Sequence, residues 1–257
     1  MSPLQQVRQT LSLLRHTRSL VATQALASNK PGIAEVRLPG CPGPVRFRRG
    51  TSDAILLQPL VFNELPPEYR HDLAAPPTVI LDIGANIGAL ALQFAKLYPD
   101  ARILSFEPLP ENYELLAFNT RGCPNVEAYP FGLGATTTSL PYQRSDDPTN
   151  FGGGGCHSSR PADDATDAVE IVAVTEALDR LNVTHIDLIK IDTEGAEHDI
   201  LTNLPAELLS TVRCIVGELH NKPNDPALLL HLHTHFHTRL THQHGKPKWF
   251  HATPLAA

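Results

Sequence analysis

Thr78-Val79-Ile80-Leu81-Asp82-Ile83-Gly84-Ala85-Asn86-Ile87-Gly88-Ala89 is an apolar run that ends in an acid, then a glycine-bearing turn, then the start of an amphipathic run. Thr78 to Ile83 reads as a short buried strand, bounded upstream by Pro76-Pro77. Ile87 to Tyr98 reads as a helix, because Leu90, Phe94 and Leu97 recur at helical spacing and Pro99 stops it. Gly84 and Gly88 lack a Cβ, so the backbone there is expected to approach a ligand closely. Strand, glycine turn and helix open a doubly wound α/β sheet. Such a sheet binds ligands beyond the carboxyl ends of its strands.

The next apolar run, Ala101 to Phe106, also ends in an acid, Glu107, which Pro108 follows. An acid there accepts hydrogen bonds from ribose hydroxyls in either of two cofactor classes. The turn separates them. A dinucleotide fingerprint needs glycine at position 86, where this chain has Asn86. Asp82 would repel a pyrophosphate and attract an ammonium. The residues therefore predict S-adenosylmethionine, with Asp82, Gly84, Asn86 and Gly88 at the methionyl end and Glu107 and Pro108 at the nucleoside end. A nicotinamide-dependent oxidoreductase is the disfavoured alternative. A catalytically silent S-adenosylmethionine-binding module is another.

The chain has 257 residues and a formal net charge of −6. That charge argues against nonspecific binding to nucleic acid or an anionic membrane. No apolar run approaches the roughly 20 residues of a membrane span. The four cysteines form no C-x-x-C pair, and Cys214 lies in an apolar run that reads as core. These features point to a cytoplasmic protein. The acid-free, Arg-bearing N-terminus also fits an organelle-import segment. Its Leu4, Val7, Leu11, Leu14 and Val21 fit one apolar helix face.

Residues 1–75 read as an N-terminal helix/strand extension and cap, and residues 76–257 as the ligand-binding domain. Strands and helices alternate from 78 onward. Pro110 to Asn119 reads as a helix and Asn125 to Pro130 as a strand. Gly132-Leu133-Gly134 reads as a turn, and Thr136 to Tyr142 as an extra strand. Residues 144–168 are too polar and Gly-rich for core. We read them as a mobile substrate lid, with a flexible surface insertion as the alternative. His185 to Asp192 and Val212 to Leu219 read as strands. A helix from about 225 and two final strands complete the chain.

Candidate catalytic groups sit where these strands end. Asp192 follows one, and Glu218 and His220 follow the next on one alternating face. Asp192 is the first choice of base or acceptor-orienting group, with Glu218 and His220 next. Glu197 is read as complementing a helix dipole. Lys190, inside an apolar strand, needs a buried partner. Asp192 with Glu218 could supply oxygen ligands to Mg²⁺, but no metal ligand is assigned. His231, His233, His235 and His237 alternate as on a strand face and are read as a solvated tail.

In order and extent the chain resembles the FkbM-type family of S-adenosylmethionine-dependent methyltransferases. The resemblance begins at Phe47-Arg48-Arg49-Gly50-Thr51-Ser52-Asp53. It continues through Leu81 to Gly88, Phe106-Glu107-Pro108-Leu109-Pro110, and Asp187-Leu188-Ile189-Lys190-Ile191-Asp192-Thr193-Glu194-Gly195-Ala196-Glu197. It covers about residues 45–220. It implies a Rossmann-like class I methyltransferase fold, with a mostly parallel seven-stranded sheet and helices on both faces. It also implies methylation of a hydroxyl on a sugar, polyketide or other small metabolite. The expected partner is a small-molecule acceptor rather than nucleic acid or membrane, and homo-oligomerisation is left open.

Overall fold

The Val79–Ile83 strand is buried at every position, because it is an interior strand of a sheet covered on both faces. The computed structural model describes residues 3–143, 149, 155–156, 168–244 and 246–255. The lid expected at 144–168 lies outside the described residues, except for Thr149, Gly155, Cys156 and Ala168.

The N-terminal part runs α1 (Pro3–Thr17), α2 (Leu20–Leu26), β1 (Gly32–Arg37), β2 (Pro44–Arg49), α3 (Asp53–Leu56), α4 (Gln58–Phe62) and a 3-10 turn, Pro67–Tyr69. Then come β3 (Val79–Ile83), α5 (Ala89–Leu97), β4 (Arg102–Phe106), α6 (Pro110–Thr120), β5 (Val126–Tyr129), β6 (Gly132–Gly134), β7 (Thr138–Gln143) and β8 (Gly155–Cys156). The chain continues as β9 (Ala168–Ala173), α7 (Val174–Arg180), β10 (Leu188–Ile191), α8 (Glu197–Thr202), α9 (Ala206–Leu209) and β11 (Cys214–Glu218). It finishes with α10 (Asp225–His235), β12 (Phe236–Gln243) and β13 (Lys246–Pro254).

Seven strands form the main sheet in the order β12-β13-β11-β10-β3-β4-β5. β5, β4, β3, β10 and β11 run parallel, and β13 pairs antiparallel with both β11 and β12. Strand order reverses between β3 and β10, which places a ligand crevice at their carboxyl ends. Period-two alternation divides the core. Leu81, Ile83, Ile189 and Ile215 pack under α7 to α10 on one face. Ile80, Leu188 and Val216 pack under α5 and the N-terminal extension on the other. Leu13, Leu26, Phe47, Leu60 and Tyr69 share that second core, so the extension is integral to the sheet's packing.

Three local expectations are corrected. Gly132-Leu133-Gly134 is not a turn but strand β6, parallel to β9 in a second, four-stranded sheet. A Cβ on Gly132 or Gly134 would come within 2.7 Å of the Ile171 side chain, so glycine there lets β9 lie close. The N-terminal apolar face is also different. Leu11 and Val21 are 60% and 69% exposed, whereas Leu13, Ala22 and Leu26 are buried. The side chains of Leu4 and Val7 lie outside the described residues. The helix breaks at Arg18, whose φ is +53°, and Ser19 caps α2, so the helical phase resets before Val21. Finally, His231, His233 and His235 lie on α10 and only His237 on a strand. Burial of Leu228 and Leu232 one helical turn apart overrides the alternating histidines.

Candidate active site

A cavity of about 1440 Å³ opens at the carboxyl ends of β3, β4, β10 and β11. A typical small-molecule site holds about 300–1,000 Å³, so this one has room for two ligands. Gly84, Asn86, Glu107, Pro108, Asp192 and Glu218 all line it. Asp82, Gly88 and His220 do not.

The turn after β3 is shaped by packing. Gly84 has φ +75°, and a Cβ on it would fall 1.8 Å from the carbonyl oxygen of Asp192. Gly88 has φ +82° and faces Leu116 and Thr120 of α6. The expected close approach to a ligand is therefore not what requires glycine at either position. Both need the left-handed backbone, and neighbouring protein atoms occupy the space a Cβ would take. Asn86 also adopts a left-handed conformation, with φ +51°. Its backbone N–H donates to Glu107 Oε2 at 2.8 Å, and its side-chain oxygen is buried with no hydrogen-bond partner.

Glu107 is 5% exposed at the end of β4. Its Oε1 accepts from the Leu109 N–H at 3.0 Å and from Asn112 Nδ2 at 3.5 Å. Burial pushes its carboxyl up to about 7, against the pull of the Leu109 and Asn86 N–H groups. Asn112 is held in turn by Arg48 Nη2 at 2.8 Å, and Arg48 forms a buried ion pair with Asp53 at 2.8 Å. The Arg48 to Asp53 segment thus braces the acid at the strand end through α6.

Asp82 lies elsewhere than expected. It shares the Ile80 face of β3 and sits in register with Lys190 on β10. Lys190 Nζ is 3.3 Å from Asp82 Oδ1, with the two side chains 4% and 0% exposed. The ammonium also donates to the Gly84 carbonyl at 2.5 Å and the Ile83 carbonyl at 3.3 Å. Burial raises the Asp82 pKa and Lys190 pulls it back. Lys190, not Asp82, reaches the cavity wall. The apolar-strand lysine was the sequence signal for this pair.

Across the crevice, carboxylates gather around one imidazole. His220 Nε2 is 3.5 Å from Asp192 Oδ1, 3.4 Å from Glu194 Oε2 and 3.7 Å from Glu218 Oε1. Its Nδ1 is 3.3 Å from Glu197 Oε1. Burial would lower the His220 pKa, but Glu197, Glu194 and Asp192 outweigh it and raise it. Burial raises the Glu194 pKa. Lys248 pairs with Glu218. His220 sits behind these acids, so it can act on a ligand only through them. Glu197 begins α8, and its Oε1 accepts from the N–H groups of Thr193 at 2.8 Å and Gly195 at 3.3 Å, in the loop that precedes the helix.

Tyr69 completes this side. Its hydroxyl donates to Asp192 Oδ2 at 3.1 Å from 123 residues away. Burial, then the Asp192 charge, raises its pKa. The sequence gives no signal for Tyr69, because its environment is a proline-rich stretch without periodicity.

The profile of the methyltransferase FkbM domain matches residues 82–245. The chain belongs to the FkbM methyltransferase family. It is 30% identical over 188 residues to the AMB antimetabolite synthetase AmbE of Pseudomonas aeruginosa, a match that spans 60% of this chain and 9% of that protein. It is 26% identical over 189 residues to methyltransferase sdnD of Sordaria araneosa, covering 62% of this chain and 73% of the relative. A methyltransferase FkbM structure from Methylobacillus flagellatus superposes with a TM-score of 0.50 at 13% identity. That alignment covers 97% of this chain and 59% of the other, and it supports the fold. Among the described residues of this family member, no helix is long and apolar enough to cross a membrane.

Proposed function

We propose that this FkbM-family methyltransferase takes its methyl group from S-adenosylmethionine and passes it to a hydroxyl of a small metabolite or sugar. The observation that carries this reading is the wall of one cavity. Glu107 and Asn86 line one bank, and Asp192, Glu194 and Glu218 line the other.

The residues of the first bank fit the cofactor. Glu107 is anchored by backbone N–H groups yet keeps lone pairs for ribose hydroxyls. The partnerless Asn86 oxygen offers an acceptor to an ammonium. Lys190 lines the cavity wall with its ammonium engaged by Asp82 and by the Ile83 and Gly84 carbonyls, and so fixes the turn after β3. When bound, the cofactor supplies a methyl group on a sulfonium.

On the second bank, Asp192 is the group that takes the acceptor's proton. It lines the cavity and is oriented by Tyr69. A placed base contributes about 10²–10⁴-fold in rate. Glu218 and Glu194 orient the acceptor, and His220 spreads the charge behind them.

Incubating the full chain with methyl-labelled S-adenosylmethionine and a metabolite extract tests the proposal. Label should enter an alkali-stable ether product. Asp192→Asn should lower transfer by about 10²-fold while cofactor affinity is kept. Unchanged transfer in Asp192→Asn would discard Asp192 as the base, and label found only on nitrogen would discard the hydroxyl.

A further inference from the structure

The second bank carries more negative charge than its own cations answer. Asp192, Glu194, Glu197 and Glu218 all lie within 3.7 Å of a His220 ring nitrogen. One imidazole has at most two protons to give. Lys248 answers Glu218. The His220 side chain is only 8% exposed, and neither ring nitrogen makes a hydrogen bond of acceptable geometry. A nine-tenths-buried imidazole aimed into carboxylates without a hydrogen bond is costly as it stands.

The spacing has another solution. One oxygen each of Asp192 and Glu197 and one ring nitrogen of His220 lie within 4.8 Å of one another. Cation–ligand bonds run from about 2.0 Å to about 2.6 Å, so adjacent ligands on one cation stand roughly 3–3.7 Å apart. The separations of 3.5 Å from Nε2 to Asp192 and 3.3 Å from Nδ1 to Glu197 belong to different ring nitrogens, so on one cation one acid stands at adjacent-ligand spacing and the other reaches across the 4.8 Å cluster. The cluster is also braced. Glu197 Oε1 accepts from Thr193 Oγ1 at 2.9 Å, and Asp192 Oδ2 from Tyr69 at 3.1 Å. With the N–H groups of Thr193 and Gly195 on the same Glu197 oxygen, these donors leave Glu197 Oε2 and Asp192 Oδ1 as the ligand atoms for a cation.

We infer that Asp192, Glu197 and His220 form a binding site for a divalent first-row cation of the Mn²⁺ type. Carboxylates favour a hard ion, and the imidazole shifts the preference from Mg²⁺ and Ca²⁺ toward Mn²⁺, Fe²⁺ or Zn²⁺. Of the three, Asp192 alone lines the cavity, so the cation sits behind the wall and would fix Asp192 toward the acceptor, a role that rests on the hydroxyl-methylation reading. Binding of the cation does not rest on it.

The test uses the full chain stripped with chelator and titrated with Mn²⁺ alone, without cofactor. Free Mn²⁺ is followed by its paramagnetic resonance signal, and heats are read by calorimetry. Wild type should bind one Mn²⁺ saturably. His220→Gln and Glu197→Gln should each weaken binding by about tenfold or more, and the exposed Glu35→Gln should leave it unchanged. Circular dichroism shows which variants fold, and two ligand variants keep the test open if one does not. The site is refuted by non-saturable wild-type binding, or by wild-type affinity in both folded ligand variants. S-adenosylhomocysteine calorimetry on the same sample separates the two proposals. Nucleoside binding without Mn²⁺ binding sinks only the cation site, and the reverse sinks only the cofactor reading.

Discussion

The two banks of the crevice solve the problem of buried charge in opposite ways. On the β3–β4 bank each acid has its own counterpart: Glu107 has two backbone N–H groups, and Asp82 has the Lys190 ammonium at 3.3 Å, although neither Asp82 oxygen makes a hydrogen bond. On the β10–β11 bank four carboxylates crowd one imidazole. The first bank balances its charges within itself and leaves the Asn86 oxygen without a partner. The second is electrostatically incomplete, and its geometry suits a bound cation and a polar acceptor.

The sharpest break in the contrast comes from joining the banks. Gly84 touches the Asp192 carbonyl, so its substitution should disturb both at once. Gly84→Ala would force backbone apart at a left-handed position. It should cost about 4 kcal/mol or more, or abolish folding. Urea denaturation reads this, and a loss under about 1 kcal/mol would show that the turn yields easily.

Next comes the internal pair of the first bank. Lys190→Met leaves Asp82 buried without its cation and should cost about 3–5 kcal/mol. Asp82→Asn in that background should recover part of the loss, since the uncompensated charge is then gone. Additive losses in the double variant would mean that the two groups do not act as a pair.

Legibility followed the same division. The first bank is local in sequence. Asp82 to Gly88 and Phe106 to Pro110 each place their groups by a strand end and the turn after it. Strand ends, helix starts and the mostly parallel seven-stranded sheet are therefore within reach of periodicity and family resemblance. Even there, the pairing of Asp82 with Lys190 depended on register between strands more than 100 residues apart, and it moved Asp82 off the cavity wall. The second bank is assembled from a distance. Tyr69 meets Asp192 across 123 residues, and the helix-start position of Glu197 carries no sign of the His220 that stands beside it. Small residues misled as well: Gly132 and Gly134 were expected in a turn, but they serve close strand packing.

A pH titration sharpens the contrast further. The Glu107 carboxyl, near 4.5 when unfolded, sits at about 7 in the folded chain. The folded state therefore holds an extra proton between those values, and the free protein should lose stability as pH rises through them. Cofactor accepted by the ionised form gains over the same upper range. Affinity should rise about tenfold from pH 6 to pH 8, and Glu107→Gln should flatten both profiles. An unchanged slope in that variant would assign the effect to another group.

The smallest effect is expected at the brace of the second bank. Tyr69→Phe removes one hydrogen bond to Asp192 and should cost about 1 kcal/mol. Turnover should fall several-fold while cofactor affinity stays put. A drop in cofactor affinity instead would tie Tyr69 to the first bank.

Calorimetry of the wild-type chain with S-adenosylhomocysteine, alongside NAD, tests the central claim most directly. The account predicts saturable binding of the sulfur nucleoside, weakened by about tenfold in Glu107→Gln, and no heat with NAD. Silence with S-adenosylhomocysteine, or binding of NAD in its place, would contradict it.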